Sequence, residues 1–296
     1  MKTKTAVVIV TFNGSRWLKP LIESILKSSI AVEIIAVDNA STDNSIEILE
    51  TFSSLQIIKC EQNLGFGKAN NIGIKLALQQ NVDFIFLLNQ DTIVYENTIQ
   101  NLVNSMIENK NFGIISPMHF APNESDLDAN FEIYFNKKIN NYDTNLVEVP
   151  FVNAAAWLVS KNCFEKTGLF EPVFNHYGED RNYCSRTTFH NFKIGIAQNS
   201  KIIHDRIITR SFKKDVLQSQ YKILNEFINI NNSIFVSIFN GFKNVFGLPK
   251  FFFKNYGFFK SAQLFLSLSI YFFEILIKHF KINAIRNVSK QGKNGF

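Results

Sequence analysis

The sequence contains few cysteines and has no long apolar run near its start. Cys60, Cys163 and Cys184 are far apart and lack the spacing of a metal site or a disulfide framework. The apolar run at residues 6–10 is too short for the core of a secretory signal peptide and is better interpreted as a first strand. We therefore expect a reduced, cytoplasmic protein.

Acidic residues are nearly absent from the end of the chain. After Glu226 only Glu274 is acidic, against nine lysines and arginines, so this part carries a charge of +8. The whole chain carries +6, which leaves the remainder at −2. Because nucleic-acid-binding domains concentrate positive charge on their binding surface, this slightly acidic main body argues against such a function.

The first third of the chain alternates strand and helix patterns. The chain has 296 residues and a hydrophobic content of 46%, enough for a substantial core. Strands are predicted at residues 5–10, 33–37, 55–59 and 84–88, with helices at 15–27, 46–52 and 68–80. Four alternations with short connections indicate an α/β fold in which helices cover both faces of a mostly parallel sheet.

The pattern is weaker after residue 109. A strand is predicted at 113–116, and the polar residues 123–145 are interpreted as a long surface loop. A helix is predicted at 181–190, followed by short strands at 194–197 and 201–203.

The stretch at residues 84–92 carries the clearest chemical signal. Its five apolar residues are typical of a strand that is buried on both faces. Asn89 and Asp91 follow it and, on an extended chain, point the same way, while Gln90 points the other way. A carboxylate and an amide beyond the end of a strand suit Mg²⁺ or Mn²⁺ and hence a phosphorylated ligand. The alternative is that these residues form only a polar turn and helix cap.

Four other features have both a functional and a structural interpretation. Asp38 follows the second predicted strand, where it could bind a ribose or base, or could simply cap the next helix. Gly65 and Gly67 could admit a ligand close to the backbone, although two loop glycines are a weak signal. Glu179 and Asp180 could place a carboxylate in a cleft, or could favour the first turn of a helix. A histidine such as His204 at a strand end is more often a core or surface residue than a ligand.

The order of these motifs is more specific than any one of them. The motifs are Thr11-Phe-Asn, Val37-Asp38-Asn-Ala-Ser-Thr-Asp43, Asn63-Leu-Gly-Phe-Gly-Lys-Ala-Asn-Asn-Ile-Gly73, Leu88-Asn-Gln-Asp-Thr92, Gly178-Glu-Asp180 and His204. Over residues 5–210, this series resembles the inverting GT-A glycosyltransferases of family 2, in particular bacterial rhamnosyltransferase-type and polysaccharide-assembly enzymes. The resemblance implies a GT-A fold, a Rossmann-like central sheet with helices on both faces.

The resemblance assigns a role to each motif. It implies that Thr11, Asn13 and Asp38 hold the nucleoside of a sugar-nucleotide donor and that the loop and helix containing Asn63, Gly65 and Asn70 close over it. Asn89 and Asp91 stand in the metal motif, so Asp91 resembles the ligand that joins a Mn²⁺ or Mg²⁺ ion to the donor diphosphate. His204 resembles a residue that completes this site. Asp180 resembles the general base, with Glu179 beside it. Trp157 resembles an aromatic wall near the sugar, although a core tryptophan is the favoured interpretation.

Three positions depart from the family pattern. Asn89 replaces the first acid of the metal motif, so the ion is expected to bind weakly before the diphosphate arrives. Asn70 stands where many members have arginine, which puts base recognition in doubt. Asn182 stands where related chains often have an acid.

The resulting prediction is a metal-dependent inverting glycosyltransferase that acts on a glycan or lipid-linked glycan in cell-surface polysaccharide synthesis. The predicted catalytic domain spans residues 1–226, with a nucleotide-sugar half at 1–110 and an acceptor half at 111–226. A non-catalytic, membrane-associated nucleotide-binding protein is one alternative. A sugar nucleotidyltransferase is a second, disfavoured because the chain lacks a basic glycine-rich loop after the first strand.

The tail at residues 227–296 is predicted to be helical, basic and aromatic. The apolar run at 262–277 is shorter than a spanning helix requires, and Glu274 interrupts it. Together with the flanking lysines, this pattern predicts a helix that lies on the inner face of an anionic membrane. The alternative is that the helix packs on the catalytic domain or on a second subunit.

Overall fold

The computed structural model describes residues 3–141, 145–206 and 210–295. The strands are β1 (Thr5–Thr11), β2 (Glu33–Asp38), β3 (Leu55–Lys59), β4 (Phe84–Asn89), β5 (Thr92–Val94), β6 (Phe112–Phe120), β7 (Asn140–Asn141), β8 (Leu146–Glu148), β9 (Ala156–Ser160) and β10 (Lys193–His204). The helices are α1 (Ser15–Leu26), α2 (Ser45–Glu50), α3 (Phe66–Gln79), α4 (Thr98–Glu108), α5 (Ala129–Phe135), α6 (Lys161–Thr167), α7 (Glu179–Phe189), α8 (Phe212–Ile228), α9 (Ile234–Ile277) and α10 (His279–Lys290).

The strands of the described residues form one mixed sheet. Its order is β3-β2-β1-β4-β9-β6-β10-β8-β7, and β5 pairs with β10. The first four strands in this order run parallel, as the alternating pattern predicts. β9 then runs antiparallel to both β4 and β6.

β4 is buried on both faces, as its apolar sequence predicts. Ile85 and Leu87 belong to the hydrophobic cluster on one side of the sheet. Phe84, Phe86 and Leu88 belong to the cluster on the other side. The alternation of strand side chains therefore anchors β4 in two cores, and the polar residues that follow it begin at the edge of the sheet.

Two predictions for the second half of the chain were wrong. Residues 123–145 are not an irregular loop throughout, because α5 forms within them. Asp128 caps this helix by accepting hydrogen bonds from the N–H groups of Asn130 and Phe131, and the Phe131 side chain is fully buried. The two short strands predicted at 194–197 and 201–203 are one strand, β10, whose pairing with β6 shifts register between Ala197 and Lys201.

The C-terminal helices form a hydrophobic cluster of their own together with α8. Tyr221 and Phe227 of α8 belong to it, as do Leu264 and Phe272 of α9. Gly257, with φ +69°, interrupts α9, so the predicted helix at 262–277 forms part of the second segment of a longer element.

The opposite faces of both α9 segments are apolar and exposed. In the first segment the exposed residues are Phe235, Phe239, Phe242 and Phe246, and in the second they are Leu266, Ile270, Phe273 and Ile277. Within the described residues, α9 is the one helix that is long and apolar enough to cross a membrane, a criterion that core helices of soluble proteins also meet. Packing on the rest of the protein therefore accounts for only one face of α9.

The last described residues return to the main sheet domain. The N–H of Leu169 donates a hydrogen bond of 2.7 Å to the carbonyl oxygen of Asn294. The Asn294 side chain is almost fully buried and donates to the carboxylate of Glu171. These contacts attach the helical tail to the sheet domain at a second point, beyond α10.

Candidate active site

The carboxyl ends of three parallel strands bring predicted site residues to one edge of the sheet. Thr11 pairs with Asp38 across β1 and β2, and Val10 pairs with Asn89 across β1 and β4. This edge is where open α/β sheets bind ligands.

Gln90, which the sequence did not single out, ties the end of β4 to β1. Its Oε1 accepts hydrogen bonds from the Thr11 hydroxyl at 2.8 Å and from the Phe12 N–H at 2.9 Å. Gly14 leaves the space for this contact, since a Cβ at that position would lie 2.3 Å from Gln90 Oε1. Thr11 is fully buried, so its hydroxyl positions Gln90 at the floor of the site.

Asp38 has both the structural role and the capacity for a functional one. Its Oδ2 accepts a hydrogen bond of 3.1 Å from the Ser41 N–H, which closes the turn after β2 and does not cap α2, because that helix begins at Ser45 after Asn44. Its Oδ1 is buried and has no hydrogen-bond partner in the described part of the chain. Because a buried acceptor without a donor is costly, this oxygen is suited to accept a hydrogen bond from a ligand.

A cavity of about 660 Å³ opens beside Asn39, the residue after Asp38, and lies within the size range of small-molecule sites. Its lining includes Phe12, Asn39, Asn63, Leu64, Gly65, Phe66, Lys68, Asn175 and His176. Asn39 joins two of its walls, because its amide donates to Asn63 Oδ1 at 3.0 Å and its Oδ1 accepts from the Leu64 N–H at 2.8 Å. The predicted residues Asn63 and Gly65 therefore lie in the wall of a cavity.

The loop before α3 requires glycine at residue 65. Gly65 has φ +81°, and a Cβ there would lie 1.7 Å from the carbonyl oxygen of Asn175. Asn63 Oδ1 accepts a hydrogen bond from the Gly65 N–H at 2.9 Å, which fixes the turn from within. Close backbone contact with the segment before α7 thus shapes this side of the cavity.

Asp91 faces His204 across the sheet. Asp91 Oδ1 lies 3.4 Å from Nε2 of His204, and Nδ1 of His204 lies 3.9 Å from Oδ2 of Asp128. Arg206 donates a hydrogen bond of 2.6 Å to the other oxygen of Asp128. The His204 side chain is 2% exposed and that of Asp91 is 18% exposed, so the pair opens to solvent on the Asp91 side.

This pair of donors fits a divalent cation that also takes ligands from a diphosphate. The Asp91 carboxylate is the ligand type that Mn²⁺ and Mg²⁺ prefer, and Nε2 of His204 is the imidazole nitrogen that faces it. The described ranges contain no group of three or more His, Cys, Asp or Glu side chains that could hold an ion. The protein alone therefore offers an incomplete ligand set, as expected from Asn89.

Glu179 and Asp180 begin α7, directly after Gly178, which has φ +89°. Glu179 is 5% exposed, and burial followed by the charge of Asp180 raises its pKa to about 7. Burial also raises the pKa of the half-buried Asp180, while Arg181 and nearby N–H groups oppose that rise. A carboxylate with a raised pKa is a better proton acceptor than an exposed one.

The residues before β9 bring the two halves of the site together. The backbone N–H of Ala154 is near enough to Asp180 to lower its pKa, and the Asn89 N–H donates a hydrogen bond of 2.9 Å to the carbonyl oxygen of Ala155. Tyr134 adds a second link, since both Asp180 and Asp128 act electrostatically on its hydroxyl. The metal motif and the Glu179–Asp180 pair therefore flank the same short segment.

Trp157 does not form an aromatic wall at the sugar site. It is fully buried in the core, with its ring centroid 6.2 Å from that of Phe170 and 5.9 Å from that of Tyr183. The favoured interpretation of a core tryptophan describes its position.

Two other predicted residues have local partners. The Asn70 side chain is buried and donates to the carbonyl oxygen of Phe66 one helical turn earlier. Asn13 is exposed, and its Oδ1 accepts a hydrogen bond of 2.8 Å from the Thr42 N–H.

Gln90, Asp128 and Arg206 were missed for different reasons. Gln90 was assigned to the opposite face of an extended strand, whereas residues 90 and 91 form a turn. Asp128 lay within the presumed loop, although an Asp three residues before a buried Phe is a helix-cap signal that could have located it. Arg206 is two residues after His204, and no sequence pattern indicated its ion pair with Asp128.

Comparisons with known proteins agree with this geometry. Residues 6–168 match the family model for glycosyl transferase family 2. The chain is 27% identical to the glycosyltransferase GlyG of Streptococcus pneumoniae over 70% of both chains. It is 25% identical to the dTDP-rhamnosyl transferase RfbF of Shigella flexneri over 69% of this chain and 70% of RfbF.

The fold is also similar to that of a solved enzyme. The structure of S. aureus TarS residues 1–349 with UDP-GlcNAc superposes with a TM-score of 0.66 at 13% identity, covering 98% of this chain and 93% of that one. The predicted fold class, GT-A with a C-terminal helical region, is confirmed.

Proposed function

The chain belongs to glycosyl transferase family 2, and from that premise we propose that it moves a sugar from a nucleotide-sugar donor to a hydroxyl of a glycan or lipid-linked glycan, with inversion at the anomeric carbon. The observation that carries this proposal is the convergence at residues 154–155. There the backbone of Asn89, two residues before Asp91, binds Ala155, and the neighbouring N–H of Ala154 acts on Asp180. Cell-surface polysaccharide synthesis is the proposed context.

The donor nucleoside is proposed to occupy the cavity of about 660 Å³. Asn63 and Gly65 line it together with Asn39, and the unpartnered Oδ1 of the preceding residue, Asp38, is proposed to accept a hydrogen bond from a ribose or base N–H or O–H group. The complex of TarS with UDP-GlcNAc supports a nucleotide sugar as the ligand class.

Asp91 and His204 are the residues that would hold a divalent cation. Asp128 lies behind His204, with its Oδ2 3.9 Å from Nδ1 of the ring, and Arg206 pairs with Asp128. The ion, when bound, neutralises charge on the departing nucleoside diphosphate.

Asp180 is proposed to accept the proton of the acceptor hydroxyl as that oxygen attacks the anomeric carbon. The carbon–oxygen bond to the diphosphate breaks as the new glycosidic bond forms, so a single displacement inverts the configuration. Positioned bases of this kind contribute roughly 10²–10⁴-fold to the rate. Burial raises the pKa of Asp180, and after burial the charge of Asp180 raises the pKa of the neighbouring Glu179.

Asp180→Asn tests the reaction. We expect it to abolish release of nucleoside diphosphate from a panel of donors (dTDP-rhamnose, UDP-galactose, UDP-N-acetylhexosamines and GDP-mannose) incubated with cell lipid extract. Binding of the nucleoside diphosphate itself should remain near the wild-type level. Full turnover in this variant would remove Asp180 from the reaction, and no release by the wild-type protein with any donor would favour a non-catalytic nucleotide-binding role.

The exposed face of α9 supports a peripheral position on the inner surface of the cell membrane. Its phenylalanines recur every three or four residues, and Lys243, Lys250, Lys254 and Lys260 lie among them. An apolar helical face bordered by lysines binds anionic lipid surfaces. The division of α9 at Gly257 and its packing on α8 favour a helix pair lying on the membrane.

A further inference from the structure

A second cavity lies on the Asp180 side of the site. Its volume is about 330 Å³, and it lies between α5, the segment before β9 and α7. Tyr134, Lys137, Phe151, Arg181 and Ser185 contribute to its lining, which contains no Asp or Glu. It shares no lining residue with the cavity assigned to the donor.

Arg181 presents positive charge to this cavity. Its guanidinium lies 4.2 Å from the centroid of the Phe151 ring, and this cation–π contact holds it in place. Among the described residues, no carboxylate forms a salt bridge with Arg181 or with Lys137. The charge of Arg181 acts on Asp180, whose pKa it lowers, but neither Arg181 nor Lys137 is held in an ion pair within the described segments.

Lys222 of α8 lies outside the cavity lining, although the charge of Arg181 helps to lower its pKa and Glu226 raises it. Arg181 and Lys137 are therefore the two cations in the described lining of the cavity.

The cavity also adjoins the proposed base. Asp180 immediately precedes Arg181, and its charge, after burial, contributes to raising the pKa of Tyr134 in the cavity wall. Tyr134 is therefore a neutral phenol that can donate a hydrogen bond to a ligand. A ligand seated here has part of its structure within the neighbourhood of Asp180.

We propose that this cavity binds a phosphoryl group carried by the acceptor, next to the hydroxyl that Asp180 deprotonates. The inference rests on the proposed function and adds the acceptor class to it. A phosphate dianion matches the two cations of this lining better than a single carboxylate does, and a guanidinium binds phosphate oxygens in pairs. The phosphoryl group could belong to a lipid carrier or to a phosphorylated glycan.

Direct binding tests the proposal without turnover. The full-length protein, in Mg²⁺ and a saturating nucleoside diphosphate (UDP, dTDP or GDP), is titrated with glucose 6-phosphate, glucose, glucuronate and geranyl phosphate by ligand-observed NMR. The variants are Arg181→Gln and Lys137→Gln. The matched control is Lys138→Gln, which removes a neighbouring lysine outside the cavity lining. Melting temperatures verify that each variant is folded.

At least one phosphate probe should bind more tightly than glucose and glucuronate. Its affinity should fall roughly tenfold in Arg181→Gln and in Lys137→Gln and remain unchanged in Lys138→Gln, since each variant loses a charge-assisted contact. A loss confined to geranyl phosphate identifies a lipid phosphate, and one confined to glucose 6-phosphate identifies a glycan phosphate. If Arg181→Gln unfolds, the wild-type protein is titrated with added NaCl instead. Phosphate affinity that falls with salt while glucose affinity does not provides the same support.

Three results would overturn the proposal. The first is that neither glucose 6-phosphate nor geranyl phosphate binds more tightly than glucose. The second is that glucuronate binds as tightly as the phosphates, and the third is that phosphate affinity is the same in all variants. Failure of every nucleoside diphosphate to bind would instead count against the proposed function. The phosphate titration stays interpretable in that case because the two cavities have separate linings.

Discussion

His204 Nε2 lies 3.4 Å from Asp91 Oδ1, although the two residues come from opposite halves of the chain. The contact arises because β10 pairs antiparallel with β5, which places His204 opposite Thr92. Pairing with β5, the strand that follows Asp91, therefore fixes the position of His204.

This contact predicts a metal-dependent effect on nucleotide binding. Asp91→Asn and His204→Asn should each weaken nucleoside diphosphate binding in Mn²⁺ by roughly tenfold or more, and should leave binding in EDTA unchanged. Calorimetry with UDP, dTDP or GDP measures both conditions. Asp205→Asn is the control, because it removes a neighbouring charge whose carboxylate instead binds Arg16 and Trp17. A metal effect retained in both site variants would rule out this pair as the ion site.

The raised pKa of Glu179 predicts a pH-dependent cost in stability. A carboxyl whose pKa rises from 4.5 to about 7 on folding binds its proton more tightly in the folded state, so stability falls as pH rises through this window. Ionisation of Glu179 in the folded protein lowers the free energy of unfolding by roughly 3 kcal/mol. Glu179→Gln should therefore gain stability relative to wild type as pH rises, measured by urea unfolding. The exposed Glu108→Gln should show no such trend, and parallel pH profiles for wild type and Glu179→Gln would contradict the assignment.

The backbone at Gly65 predicts sensitivity to a single methyl group. Gly65→Ala must relieve both a positive φ and a contact of 1.7 Å with Asn175, so it should lower the free energy of unfolding by roughly 1–3 kcal/mol and weaken donor binding. Gly247→Ala is the matched control, because a Cβ there meets nothing within 4 Å and Ala favours a helix. Urea unfolding and nucleotide titration report the two effects. Wild-type nucleotide affinity in a folded Gly65→Ala protein would show that the loop does not shape the donor site.

The apolar face of α9 predicts binding to anionic membranes. Phe239→Ser/Phe273→Ser should reduce flotation with liposomes that contain anionic phospholipid, since both side chains are 61% exposed. Leu26→Ser/Ile107→Ser removes two exposed apolar side chains from the sheet domain and should float like the wild-type protein. If neither double variant differs from wild type, or if wild type does not float at all, the membrane role of α9 is wrong.

Local sequence patterns determined much of this molecule. The unbroken apolar run of β4 identified a strand buried on both faces, and the polar residue that ends it, Asn89, lies at the same edge of the sheet as Thr11 and Asp38. Alternation of strand and helix fixed the parallel half, because each of those elements has short connections and a strong period. The same reasoning failed for β10 and α5, where pairing with distant strands and burial of Phe131 outweigh a weak local pattern.

By itself, the sequence determined which residues could carry chemistry, since residue type and position relative to a strand end are local properties. Only the tertiary structure decided which of them meet. It buried Trp157 against Phe170 and Tyr183. It also joined Gln90 to Thr11 by a hydrogen bond and placed Asp128 behind His204. The physical reason is that these contacts depend on strand register and on packing between segments far apart in the chain, and neither is encoded in any single stretch of residues.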